Sequence, residues 1–181
     1  TAKRATAKKA TAKKASRRPK AAAPDPEKMM AAWQTAMTPG DGHKRLEPII
    51  GTFSARATFW MNPGAPPDTS EGMSEHRWVL GGRYVEQVYR GMAMGMPFEG
   101  IGYTGYDNVQ RKYVGAWMDN MGTGIMMAEG TYDPATKTFT YTGEFQMAPG
   151  MKQQIREVIK VTDKDHMVFE WYENRGGTEA K

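Results

Sequence analysis

The chain contains no cysteine, which excludes disulfides and thiolate chemistry. Its three histidines, His43, His76 and His166, are too scattered to form a metal-binding spacing, so no metal and no cofactor are expected. No apolar run approaches the ~18 residues of a membrane-spanning helix. Nor does an apolar secretory core follow the first residues, and a cytoplasmic location is expected. Gly-x-Ser-x-Gly, a phosphate loop and a dinucleotide fingerprint are all missing. The pairs Gly81-Gly82 and Gly122-x-Gly124 suit hairpin turns instead.

Acidic residues are absent from the first 20 positions, which carry Lys3, Arg4, Lys8, Lys9, Lys13, Lys14, Arg17, Arg18 and Lys20. The whole chain has a net charge of +5, yet the residues after this run hold 16 basic and 20 acidic side chains. The positive charge therefore belongs to a tail and not to the domain. Residues 1–15 repeat a Thr-Ala-Lys-Lys/Arg-Ala unit and can bury no apolar face, so residues 1–24 are expected to be disordered when free. The composition resembles the Lys/Ala-rich tails of linker histones and bacterial histone-like proteins. Such a tail either neutralises nucleic-acid phosphates without reading sequence or serves as a solubilising spacer.

Asp25-Pro26-Glu27 reads as a helix start, with Asp as N-cap and Pro in the first turn. Met29, Trp33 and Met37 then recur on one helical face, expected to pack on the domain, and residues 25–38 form this helix. From 39 to 181 the pattern turns to period two. Strands are predicted at 51–61, 72–80, 83–92, 97–106, 111–118, 124–132, 137–146, 153–161 and 166–173. Short turns such as Asp133-Pro134-Ala135-Thr136 favour an antiparallel meander, because parallel strands need helical crossovers. Nine such strands suggest an all-β, closed up-and-down barrel, since closure removes exposed edges.

Several segments carry a resemblance: His43-Lys-Arg-Leu-Glu-Pro-Ile-Ile-Gly-Thr52, Trp78-Val-Leu-Gly-Gly-Arg83, Pro97-Phe-Glu-Gly100 and Gly102-Tyr-Thr-Gly-Tyr-Asp-Asn108. Trp117-Met-Asp-Asn-Met-Gly-Thr-Gly124, Glu129-Gly-Thr-Tyr-Asp-Pro-Ala-Thr-Lys-Thr138 and Arg156-Glu-Val158 add to it. Together they make residues 39–173 similar to a bacterial family called domain of unknown function 1579, a lipocalin-like (calycin-type) barrel. The resemblance implies a fold and no catalytic residues. Lipocalin-like barrels commonly open with Gly-x-Trp, where this chain has Gly51-Thr52-Phe53. Members usually end with one more strand. Here the sequence stops at Lys181 just after a turn-like 174–177, so the closing strand is expected to be missing.

Strand pairing inferred from the alternation puts Phe139, Tyr141 and Phe145 inside, opposite Thr131, Glu129 and Met127. In the last hairpin Arg156 is expected opposite Glu170, with Ile155 and Ile159 opposite Trp171 and Met167. An outward Lys112 turns Tyr113 and Trp117 inward. The candidate interior site is thus Tyr113, Trp117, Glu129, Tyr141, Glu157 and Trp171. Its two carboxylates, Glu129 and Glu157, are core groups satisfied by tyrosine hydroxyls, or they orient a ligand, or they form an acid/base pair. The leading expectation is non-enzymatic binding of a small, largely apolar ligand. An enzyme using the two glutamates and a tethered protein-interaction module are the alternatives, and the oligomeric state is open. Met92, Met94 and Met96 share a strand face and either bind Cu(I) or fill space. A one-histidine haem site would use His76, in a strand beside Trp78; otherwise that histidine is a satisfied or solvent-facing side chain.

Overall fold

The structure is a computed structural model that describes residues 25–60, 65–175 and 177–181. The basic tail and its nine cations lie outside the described residues. Helix α1 spans Pro26–Met37, and Asp25 caps it by accepting the Glu27 amide proton at 3.0 Å. A short turn of helix, α2 (Asp41–Lys44), and a 3-10 turn at Glu47–Ile49 follow.

Ten strands then succeed one another, each antiparallel to the next and hydrogen-bonded in chain order. They are β1 (Gly51–Phe59), β2 (Asp68–Val79), β3 (Tyr84–Ala93), β4 (Met96–Asp107) and β5 (Lys112–Asp119). The series continues with β6 (Met126–Asp133), β7 (Thr138–Ala148), β8 (Met151–Val161), β9 (Met167–Arg175) and β10 (Thr178–Ala180). The sheet curls into a half-barrel with β1 and β10 at its two ends, in place of the closed nine-stranded barrel expected. Residues 178–180, where no strand was expected, pair with Glu173–Arg175, so the sheet has a tenth strand.

The turns explain much of the register. Asp107 pairs with Lys112 and Asp133 with Thr138, each across a four-residue loop. In both loops the Asp carboxylate accepts the amide proton two residues on, from Val109 and Ala135. Both close with a left-handed residue, Arg111 at φ 56° and Lys137 at φ 53°.

Residues 41–50 cross one end of the inner face and plug it. Leu46 is fully buried, and Ile49 joins it against Val85, Tyr113, Phe139 and Val161. Hydrogen bonds fix the plug: Tyr113 donates its hydroxyl to the Gly42 carbonyl at 3.0 Å, and the Trp78 indole donates to Glu47 at 2.9 Å. Burial of such side chains supplies most of the stabilisation, about 1.5–3 kcal/mol for each large apolar one.

Helix α1 departs from expectation, because none of its residues is buried. The domain holds it by its last carbonyls instead. Asn108 Nδ2 donates to the carbonyls of Thr35, Ala36 and Thr38, and Arg83 Nη2 donates to that of Met37. These bonds satisfy helix-end carbonyls without covering the Met/Trp face.

Candidate functional site

Five of the six expected interior residues share the inner face. Tyr113 pairs with Gly130, Gly130 with Tyr141, Tyr141 with Glu157 and Glu157 with Trp171, so four of them stand in one row across five strands. Trp117 is on the same face of β5, four residues along, or about 13 Å away at the usual rise of a strand. Tyr113 meets Tyr141 edge-on at 6.5 Å and Phe139 at 5.1 Å.

Glu129 is the exception. It pairs with Val114 and Thr142 on the outer face, where its side chain is 63% exposed and bonded to Lys112 Nζ at 2.6 Å. The β6–β7 register differs by one residue from the expected one, and a one-residue slip turns a whole strand over. Two features set the observed register. The Asp133 loop closes over four residues, which brings Tyr132 opposite Phe139. Gly130 then lies beneath the Tyr141 ring, where a β-carbon would come within 2.6 Å of the ring and of the Thr140 carbonyl. The inward residues of β6 are therefore Met126, Ala128, Gly130 and Tyr132. The paired-carboxylate site does not form, and with it goes the acid/base reading that needed both glutamates.

The β8–β9 register also differs, by two residues: Arg156 faces Tyr172, and Ile155 and Ile159 face Glu173 and Phe169. An even shift keeps every side chain on its face, so Glu157 and Trp171 stay inside. Burial pushes the Glu157 carboxyl up to about 7. It also raises the Tyr141 hydroxyl, with smaller contributions from Tyr113 and Glu157, and that hydroxyl has no hydrogen-bond partner. The Trp117 indole donates to Asp119 at 2.9 Å and lies over Gly100, whose β-carbon would come within 2.2 Å of the ring.

A second polar cluster occupies the inner face of β2 and β3. Ser74 Oγ and His76 Nε2 are hydrogen-bonded at 2.8 Å, and Gln87 Nε2 donates to Ser74 Oγ at 2.9 Å. Phe53 stands edge-on to the imidazole at 5.6 Å. Burial drives His76 down to about 4, so the ring is neutral near pH 7, and its Nδ1 has no partner. Sequence reasoning singled out His76 but missed Ser74 and Gln87. The available signal was parity: Ser70, Ser74 and His76 share the strand phase of Trp78, yet hydropathy alone does not mark polar residues as inward.

The remaining candidates separate. Met92 pairs with Pro97 and Met96 with Ala93, while Met94 takes φ 50° in the tip of the hairpin, so the three thioethers do not share a strand face. All three are exposed. Among the described residues no cluster of His, Cys, Asp and Glu is placed to hold a metal ion. A trough of about 580 Å³ opens on the outer face of β6–β10, walled by Glu129, Glu144, Arg156 and Glu179. Its charges are matched by Lys112–Glu129, Lys152–Glu144 and Arg156–Glu179 pairs, as in a solvated surface.

With the meander, its turns and the plugging segment in place, the comparison with known families falls into line. A family model described as a protein of unknown function (DUF1579) matches residues 38–181. The chain belongs to that family. In this DUF1579 chain the match spans the plug, all ten strands and the loops that set their register, and begins after α1. A search of curated proteins finds no match to it.

Proposed function

We propose that the inner face of the half-barrel binds a small, largely apolar molecule and anchors it at Tyr141 and Glu157. The observation that carries this reading concerns unsatisfied atoms. Ser70 Oγ, His76 Nδ1 and Tyr141 Oη are buried side-chain atoms without a hydrogen-bond partner, and all three belong to inward-facing residues. A buried polar atom left unpaired costs roughly 1–3 kcal/mol, a cost removed when a ligand atom or an ordered water pairs with it. Aromatic side chains stand around them: Phe53 at His76, and Tyr113 and Trp171 in the row of Tyr141 and Glu157. Apolar walls with a few placed polar groups are the usual make-up of a small-molecule site. Near pH 7 Glu157 sits at its midpoint, able to donate to or accept from a ligand atom.

The test is native mass spectrometry of the purified chain, compared with Tyr141→Phe. The wild type is expected to carry a co-purifying molecule that the variant loses. The variant keeps its melting temperature or gains slightly, because it removes an unpaired hydroxyl. A wild type that carries nothing, or a molecule retained equally by both proteins, overturns the reading.

A further inference from the structure

We propose that α1 and the basic residues before it attach this protein to an anionic lipid surface, with the helix lying in the bilayer interface. The helix is amphipathic and unpartnered. Met29, Met30, Trp33 and Met37 form one continuous stripe, each more than half exposed, with Trp33 the most exposed at 64%. Glu27, Lys28, Gln34 and Thr35 occupy the other side by their helical spacing. The protein leaves this stripe bare although it binds the same helix by four hydrogen bonds at its C-terminal end. Those bonds come from Asn108 and Arg83, in the β4–β5 and β2–β3 loops, and fix the helix to the domain while its apolar side points elsewhere.

Charge identifies what covers the stripe. Nine cations and no acid occupy the first 20 positions, and the last of the cations, Lys20, is six residues from Pro26. That stretch spans at most ~20 Å when extended, so cations and helix can reach the same surface. Nucleic-acid phosphates would match the cations but leave four large apolar side chains in water. An anionic bilayer matches both: headgroups take the Lys and Arg side chains, and the acyl boundary takes Met and Trp. With 12 residues, α1 is about 18 Å long, suited to lying in the interface and not to spanning it.

The experiment is co-sedimentation of the full chain with two sets of vesicles. One is phosphatidylcholine alone; the other is an equal mixture of phosphatidylcholine and phosphatidylglycerol. Binding is expected only to the anionic vesicles and is expected to fall as salt rises. Trp33→Ala should weaken it about tenfold. Trp33→Phe should keep most of it, and neither should move the melting temperature, since Trp33 is not packed on the domain. A parallel titration with duplex DNA supplies the competing arm. Failure to bind the anionic vesicles overturns the proposal, and if duplex DNA is bound instead, the tail contacts nucleic acid. Vesicle binding that Trp33→Ala leaves unchanged overturns the role of the helix.

Discussion

Two side chains on the inner face titrate far from their ordinary values, in opposite senses. Burial raises Glu157 from 4.5 to about 7, so between those values the folded state holds a proton that the unfolded chain has released. Stability therefore falls as pH rises through that window, by ~1.4 kcal/mol per pH unit. Burial lowers His76 from 6.5 to about 4, so there the unfolded chain holds the extra proton and stability rises with pH. His43, also lowered by burial, acts in the same sense as His76. The Glu157 slope thus masks the histidine slope between pH 4.5 and 6.5. Glu157→Gln should unmask it. The stability difference between variant and wild type should grow by ~1.4 kcal/mol per pH unit from about 4.5 to about 7, and then level off. Urea melts at half-unit steps of pH measure this directly. A difference that stays flat over that range would place the Glu157 carboxyl in water.

Among the strands, β10 is held by the least. It makes three ladder pairs with β9, and side chains add the rest. Arg156 donates to both carboxylate oxygens of Glu179, at 2.8 and 2.6 Å, while its guanidinium lies 3.9 Å from the Tyr172 ring centre. Lys181 bonds Glu170 alongside. These groups are in contact with solvent, which screens the pairs and leaves each of them adding little. Glu179→Gln should consequently loosen β10 without touching the core. Hydrogen exchange is expected to quicken at amides 173–175 and 178–180 and to stay unchanged at Tyr113 and Phe139, with the global melting temperature unmoved. Equal acceleration in both regions would mean that β10 takes part in the global unfolding unit. Helix α1 is held by still less, since it touches the domain through its last backbone carbonyls and leaves its apolar stripe exposed.

For the molecule as a whole, an open half-barrel needs something across its inner face, and the 41–50 plug supplies it. Leu46 is completely buried among Val85, Tyr113 and Phe139, residues from β3, β5 and β7. Leu46→Ala should therefore destabilise the whole sheet, by about 2–5 kcal/mol, because removed methyl groups leave a cavity that strands cannot close by moving singly. Chemical denaturation should show a lower midpoint with an unchanged slope. A change confined to the plug, with the sheet melting as before, would show that the strands stand without it. The plug closes one end of the sheet, although Leu80 and Val109 stay exposed in the hairpins there, as Phe59, Trp60, Met94, Met96, Met121 and Ile125 do at the other end.

The sequence by itself determined the local choices. Alternation, Asp-led turns and the Asp25-Pro26 start specify strands and helix because they act within a few residues, through backbone hydrogen bonding and side-chain facing. The faces of Tyr113, Tyr141, Glu157 and Trp171 were legible for the same reason: each shares its strand's phase with a large apolar neighbour, Trp117, Phe139, Ile155 and Phe169 respectively. Tertiary structure decided what depends on two distant segments at once. In β6 the inward residues include Ala128 and Gly130, too small to announce burial, so only the fit of Gly130 beneath Tyr141 could turn Glu129 outward. The Ser74–His76–Gln87 cluster needed the β2–β3 register, because hydropathy reads a polar side chain as solvent-facing wherever it stands. The open sheet and the bare face of α1 likewise followed from which surfaces found partners in space, a matter of packing between segments and not of any one segment's composition.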